Sequence, residues 1–182
     1  MMRSPARPTV TAPTAASPLA AAIVSVARGE LGVRETSRNQ GAGIEKYWTA
    51  TNYPDGYANR EPWCAAFVCW CVRAALQLTG HYTRLPQSAS VSGLLNWARA
   101  ASRDRVLEWH DTAGGRVTPI AGDLVIFMPN FSHVGIVEKF TADAGGVHTI
   151  EGNTNDAGQR EGVAVMRKIR PLTLCGSFVR FT

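Results

Sequence analysis

Cys64 follows a turn-rich stretch, residues 52–60, and stands two residues after Pro62. It lies near the start of a long apolar run. Trp63, Phe67, Trp70 and Ala74 recur at helical spacing, with Cys64, Val68, Cys71, Ala75 and Leu78 as the neighbouring row. The spacing predicts a helix over residues 62–78, with Gly80 just beyond it. A cysteine in the first turn of a helix sits where the partial positive charge and free N–H groups favour thiolate over thiol. The same N–H groups can stabilise an oxyanion that develops beside the sulfur. This is nucleophile chemistry, and it needs a base to take the proton and a polar group to hold that base.

The chain offers four histidines. His81 follows the Gly80 stop and reads as a solvated loop residue, and His110 adjoins Asp111 in a segment without regular pattern. His148 has opposite parity to Glu151 on one strand, so the two face opposite sides of a sheet. His133 opens the apolar strand Val134-Gly135-Ile136-Val137, as either a satisfied core histidine or a catalytic base. Glu151 and Asn153, separated by Gly152, would share one face of an extended strand. A hairpin between the two strands can bring either beside His133 to hold the imidazole by its ring N–H. Taken singly, Glu151 also reads as a solvated strand end and Asn153 as a turn former.

Cys69, Cys71 and Cys175 accompany Cys64, whose local pattern C-x4-C-x-C lacks the C-x2-C spacing of structural zinc sites. Cys64 and Cys71 share a helix face but stand about 10 Å apart along its axis, too far for a disulfide. The three extra cysteines are expected to be buried thiols that act as small hydrophobes.

The positioning elements are α first and β second. Residues 1–17, rich in Pro, Ala, Thr and Ser, read as a flexible tail. Ser17 as N-cap and Pro18 at the first helical position begin a helix through Leu19, Ile23 and Val26, with Gly32 as its cap. We prefer this reading to a signal peptide over residues 19–27, a run that is short and broken by Ser25. Further helices are expected over residues 44–51 and 90–101, the latter carrying Val91, Leu94, Leu95 and Ala98. Strands follow at residues 105–109, 123–128, 133–140, 147–151, 163–169 and 177–181, bounded by Gly and Asn turns. Helices followed by an antiparallel meander make an α+β domain in which the run beginning near Cys64 is the central buried helix.

At 182 residues, with 45% apolar and 18% charged side chains, the chain can bury a core and is too apolar for overall disorder. No stretch approaches the roughly 20 apolar residues of a membrane-spanning helix. The net charge of +5 favours anionic partners, but no dense Lys/Arg run marks a nucleic-acid surface.

The strings Trp63-Cys64-Ala65-Ala66-Phe67-Val68, Gly122-Asp123-Leu124-Val125-Ile126-Phe127, His133-Val134-Gly135-Ile136-Val137 and Ile150-Glu151-Gly152-Asn153 occur in this order. Together they resemble the CHAP-domain peptidoglycan hydrolases, a papain-like branch of cysteine peptidases and amidases. Glu30-Leu31-Gly32-Val33-Arg34-Glu35 is similar to the end of that family's first helix. The resemblance spans residues 19–182. It implies a papain-like fold, with N-terminal helices packed on a C-terminal antiparallel sheet and the nucleophile on the central helix. It implies Cys64 as nucleophile, His133 as general base, Glu151 as orienting acid and Asn153 as a fourth polar member. The implied reaction cleaves an amide of bacterial peptidoglycan, as an N-acetylmuramoyl-L-alanine amidase or a stem or cross-bridge endopeptidase. Tyr57 and Asn59 are candidates to join the Cys64 N–H at the oxyanion. Some relatives carry a calcium loop of clustered aspartates, whereas residues 52–57 hold the single carboxylate of Asp55. No metal and no cofactor is expected.

The partner is therefore expected to be peptidoglycan, met by a monomer acting in the periplasm or wall after release or delivery. Its maker would be a phage, using it as a lysin, or a bacterium, using it as a wall enzyme or an effector with an immunity or delivery protein. A non-catalytic glycopeptide-binding module on the same fold is the alternative, and a thiol-rich metal or redox protein is a third reading that the cysteine spacing argues against. Selective alkylation of Cys64 near neutral pH separates the hydrolase from slow labelling in a binding module and from zinc binding.

Overall fold

A computed structural model describes residues 17–81, 84–103, 107–111, 117–127, 132–141, 146–155 and 162–181, with residues 107–111 described by backbone alone. The tail expected over residues 1–17 lies outside the described residues but for Ser17. Helix α1 spans Pro18–Gly29, and the Ser17 hydroxyl accepts the Ala20 N–H at 3.2 Å, the N-cap expected of that Ser-Pro pair. Gly32 is not its cap. The helix closes at Glu30, and Gly32, at φ +86°, instead gives its N–H to the Val165 carbonyl.

Helix α2 covers Ala42–Trp48, α3 Cys64–Thr79 and α4 Val91–Arg103. Helix α2 starts two residues earlier and stops three earlier than the apolar spacing suggested, because residues 49–51 turn back through N–H bonds to the carbonyls of Lys46, Tyr47 and Trp48. Helix α3 ends as expected, with Gly80 at φ +67° returning its N–H to the Leu76 carbonyl. It is the buried centre of the fold, touching α1, α2, α4 and two strands.

The strands are β1 (Leu107–Asp111), β2 (Leu124–Phe127), β3 (Val134–Thr141), β4 (Gly146–Thr154), β5 (Ala164–Arg170) and β6 (Cys175–Phe181). They form one antiparallel sheet in the order β1-β6-β2-β3-β4-β5. Strands β2 to β5 are the expected meander, but β6 departs from it by returning to pair with both β2 and β1. Strand β1 also runs two residues past its expected end, so His110 belongs to a strand, opposite Phe178.

The sheet has two apolar faces. Ile150 and Gly152 turn toward α3 and the main core. Val147, Thr149 and Glu151 alternate to the other face, where Val125, Phe127, Val137, Val147, Cys175 and Phe178 form a smaller cluster. A Cβ on Gly152 would lie 2.7–2.8 Å from Phe67 and Trp63, so glycine lets β4 press against the first turn of α3. That close approach brings the strand bearing Glu151 to the helix end bearing Cys64.

Candidate active site

Cys64 is the first residue of α3. The preceding Trp63 is buried and clamped. Its indole N–H donates to Glu35 Oε1 at 2.7 Å, and its ring stacks on Tyr47 with centroids 5.5 Å apart. Glu35 Oε2 in turn accepts the Asn39 N–H at 2.8 Å. No side chain caps α3, so its first-turn N–H groups lack both intrahelical partners and a cap. Cys64, 3% exposed, borders an open cleft of about 620 Å³ that Trp48, Asn52, Tyr53, Ser90 and Ser132 also line.

His133 immediately precedes β3 and is 7% exposed. Its carbonyl accepts the Phe127 N–H at 3.0 Å, and its ring stacks on Phe127 at 5.7 Å and 20°. Nε2 meets Glu151 Oε2 at 2.8 Å. Nδ1 is buried without a hydrogen-bond partner, and the ring interacts with the Cys64 side chain. Glu151 is fully buried on β4. Its Oε1 accepts Thr149 Oγ1–H at 2.5 Å and Arg170 Nε–H at 2.8 Å, while Arg170 Nη2 donates to Oε2. A Cβ on Gly135 would stand 2.8 Å from Glu151 Cγ, so the glycine in the His133-Val134-Gly135 string makes room for this carboxylate.

Electrostatics follow from these contacts. Burial works against a charged His133, but its interactions with Cys64 and then Glu151 outweigh it and raise the ring to about 9. Burial would push Glu151 up, yet hydrogen bonds from Arg170 and then His133 hold it at about 2. The site is therefore a buried row of thiol, imidazole, carboxylate and guanidinium, with alternating charge when the sulfur is ionised. All four cysteines are buried thiols. Burial pushes Cys69 and Cys175 up to about 12 and Cys71 well above its ordinary value, so these three stay protonated and inert near neutral pH.

Of the residues singled out in the sequence, Cys64, His133 and Glu151 come together. Asn153 does not join them. It adopts φ +55° at a register shift between Glu151 and Thr154, which breaks the alternation expected to put it on the Glu151 face. Its amide is spent elsewhere, donating to Asn39 Oδ1 at 3.1 Å and accepting the Gly162 N–H at 3.0 Å. Tyr57 and Asn59 do not line the cleft beside Cys64. The Tyr57 ring packs on the core and its carbonyl accepts from Gln40, while Asn59 donates to the Tyr53 hydroxyl at 2.6 Å. His81 is exposed, and His148 Nε2 lies 3.3 Å from the Thr141 hydroxyl, away from the set. Arg170, Thr149 and Phe127 also belong to the set. Their only sequence signal is a place on an alternating strand, and pairing decides the rest.

An α+β domain with a cysteine at a helix N-terminus beside a carboxylate-held histidine has the arrangement of a thiol hydrolase. The model of the CHAP domain matches residues 52–153, more than half of the chain, from the loop before Cys64 to Asn153. The chain belongs to the CHAP-domain family, whose members are cysteine/histidine hydrolases associated with peptidoglycan. Comparison with curated proteins returns no match.

Proposed function

We propose that this chain hydrolyses an amide bond in bacterial peptidoglycan, as an N-acetylmuramoyl-L-alanine amidase or a stem or cross-bridge endopeptidase. Residues 18–182 act as one papain-like catalytic domain with the nucleophile on its central helix and residues 1–17 as a tail. The enzyme works as a monomer in the periplasm or wall, reached by release or delivery, in a lysin, wall enzyme or effector role. The observation that supports this reading is Glu151 holding His133 Nε2 at 2.8 Å while the ring interacts with Cys64 at the edge of an open cleft.

His133, as general base, takes the proton from the Cys64 sulfur. The sulfur attacks the scissile carbonyl carbon, and the charge developing on its oxygen is met by the free N–H groups at the start of α3. His133 gives its proton to the departing amine nitrogen as the C–N bond breaks, leaving a thioester on Cys64. The now neutral imidazole takes a proton from water, whose oxygen attacks the thioester. Collapse breaks the C–S bond and releases the product as a carboxylic acid, which gives its proton to solvent, and the imidazolium returns its proton to the sulfur. Glu151 keeps the ring oriented throughout and favours its charged form.

The test is digestion of purified sacculi by the wild type, Cys64→Ala and His133→Ala, with released fragments identified by mass spectrometry. Intact stem peptides freed from glycan by the wild type alone establish an amidase, and shortened stems still on disaccharides establish an endopeptidase. Both variants should lose turnover by about a thousandfold or more and keep the wild-type circular dichroism spectrum. No Cys64-dependent product from any wall type overturns the proposal and favours a glycopeptide-binding module.

A further inference from the structure

Arg170 is the residue the proposed reaction leaves unexplained. It closes β5 and pairs in register with Val147, while Glu151 pairs with Met166. Its guanidinium therefore reaches diagonally along the sheet to put one N–H on each oxygen of Glu151, Nε on Oε1 at 2.8 Å and Nη2 on Oε2. The guanidinium carbon also stands 5.3 Å from the centroid of Phe127, the same ring that stacks on His133. The arginine side chain is largely buried, at 14% exposure, and the carboxylate is wholly so.

A carboxylate with two oxygens can hold an imidazole N–H through either one, and rotation about its terminal bond changes where the ring is aimed. Arg170 and Thr149 together occupy Oε1, and Arg170 shares Oε2 with His133. Rotation would break a two-pronged, charge-assisted contact in a buried setting. We propose that Arg170 is a positioning residue of the catalytic row, its guanidinium fork fixing both Glu151 oxygens so that one faces His133 Nε2 and aims Nδ1 at Cys64. It acts through Glu151 and the shared Phe127 wall.

A second consequence follows from its charge. Arg170 keeps Glu151 ionised when His133 is neutral, during attack by water, and offsets part of the carboxylate's pull on the imidazolium proton. The other titratable groups of this row are Cys64 on α3, which acts on His133, and Cys175 on β6, a protonated thiol near Arg170 and Glu151. Loss of the cation raises the proton affinity of both Glu151 and His133. The alkaline limb of the rate profile, where the imidazolium proton is lost, then moves to higher pH.

This inference rests on the proposed hydrolase, so the experiment reads both. Wall digestion is followed from pH 4 to 10 with the wild type, Arg170→Gln and Arg170→Lys. Arg170→Gln should move the alkaline limb up by about one pH unit. Arg170→Lys keeps the charge and loses the fork, so its alkaline limb should stay in place while its rate falls about tenfold. A residue that only braces the fold would lower the melting temperature without moving that limb. A wild-type alkaline limb in a folded Arg170→Gln, or a wild-type rate in Arg170→Lys, overturns the inference. Should Arg170→Gln not fold, the rate and alkaline limb of Arg170→Lys decide. A wild type without Cys64-dependent wall products defeats the hydrolase reading instead.

Discussion

Glu151 is a fully buried carboxylate kept ionised by Arg170 and His133. Its pKa in the fold, about 2, lies below that of an unfolded glutamate. Its contribution to stability is therefore whole above about pH 4.3 and is lost as the pH falls toward 2. His133, raised to about 9, works in the opposite direction. Its contribution is whole below about pH 6.5 and is lost as the pH rises through 9. Thermal unfolding of the wild type and Glu151→Gln should differ most near pH 5–6, and the gap should narrow toward pH 2. A gap independent of pH would mean that the carboxylate's charge does not stabilise the fold. In activity, Glu151→Gln should lose about tenfold and Glu151→Ala clearly more, since an amide oxygen still accepts the imidazole N–H. Near-wild-type activity in Glu151→Ala would remove Glu151 from the set.

At the scale of elements, the site depends on how closely β4 approaches α3. Gly152 is the point of contact, with Phe67 and Trp63 filling the space a side chain would need. Gly152→Ala should force the strand and helix apart, costing about 1–3 kcal/mol of stability as overpacking does. The strand carries Glu151 and the helix carries Cys64, so activity should fall further than unfolding alone explains. Rates measured well below the melting temperature check this, and an undiminished rate in a destabilised variant would show that the spacing tolerates the shift. Helix α3 could be read from its apolar rows because ten of its sixteen residues are buried, although Leu78, at the end of one row, is exposed. At the ends of α2 and β1, local hydrogen bonds and pairing with β6 override the apolar pattern.

The molecule as a whole carries a net charge of +5, and the proposed substrate is a polymer bearing carboxylates. Added salt screens such long-range attraction and leaves a buried ion pair nearly untouched. Wall digestion should therefore slow several-fold between about 50 and 500 mM salt, while Cys64 alkylation by the neutral reagent iodoacetamide hardly changes. Equal slowing of both would place the salt effect inside the site rather than on encounter with the wall. Among the described residues, no helix is long and apolar enough to cross a membrane.

Apolar periodicity determined the order of helices and strands, the central place of α3 and the positions of Cys64 and His133, because each is a local property of a helix start or strand start. The choice between Glu151 and Asn153 was beyond it. Strand alternation puts both on one face, and only the backbone turn at Asn153, at φ +55°, separates them. The β6 return was also hidden, since which strands become neighbours depends on the packing of the whole sheet. Arg170 shows the same limit most clearly, being 19 residues from Glu151 in sequence and joined to it only by the register of β4 and β5. Local pattern tells a residue which way to face, whereas pairing between distant segments decides what it faces.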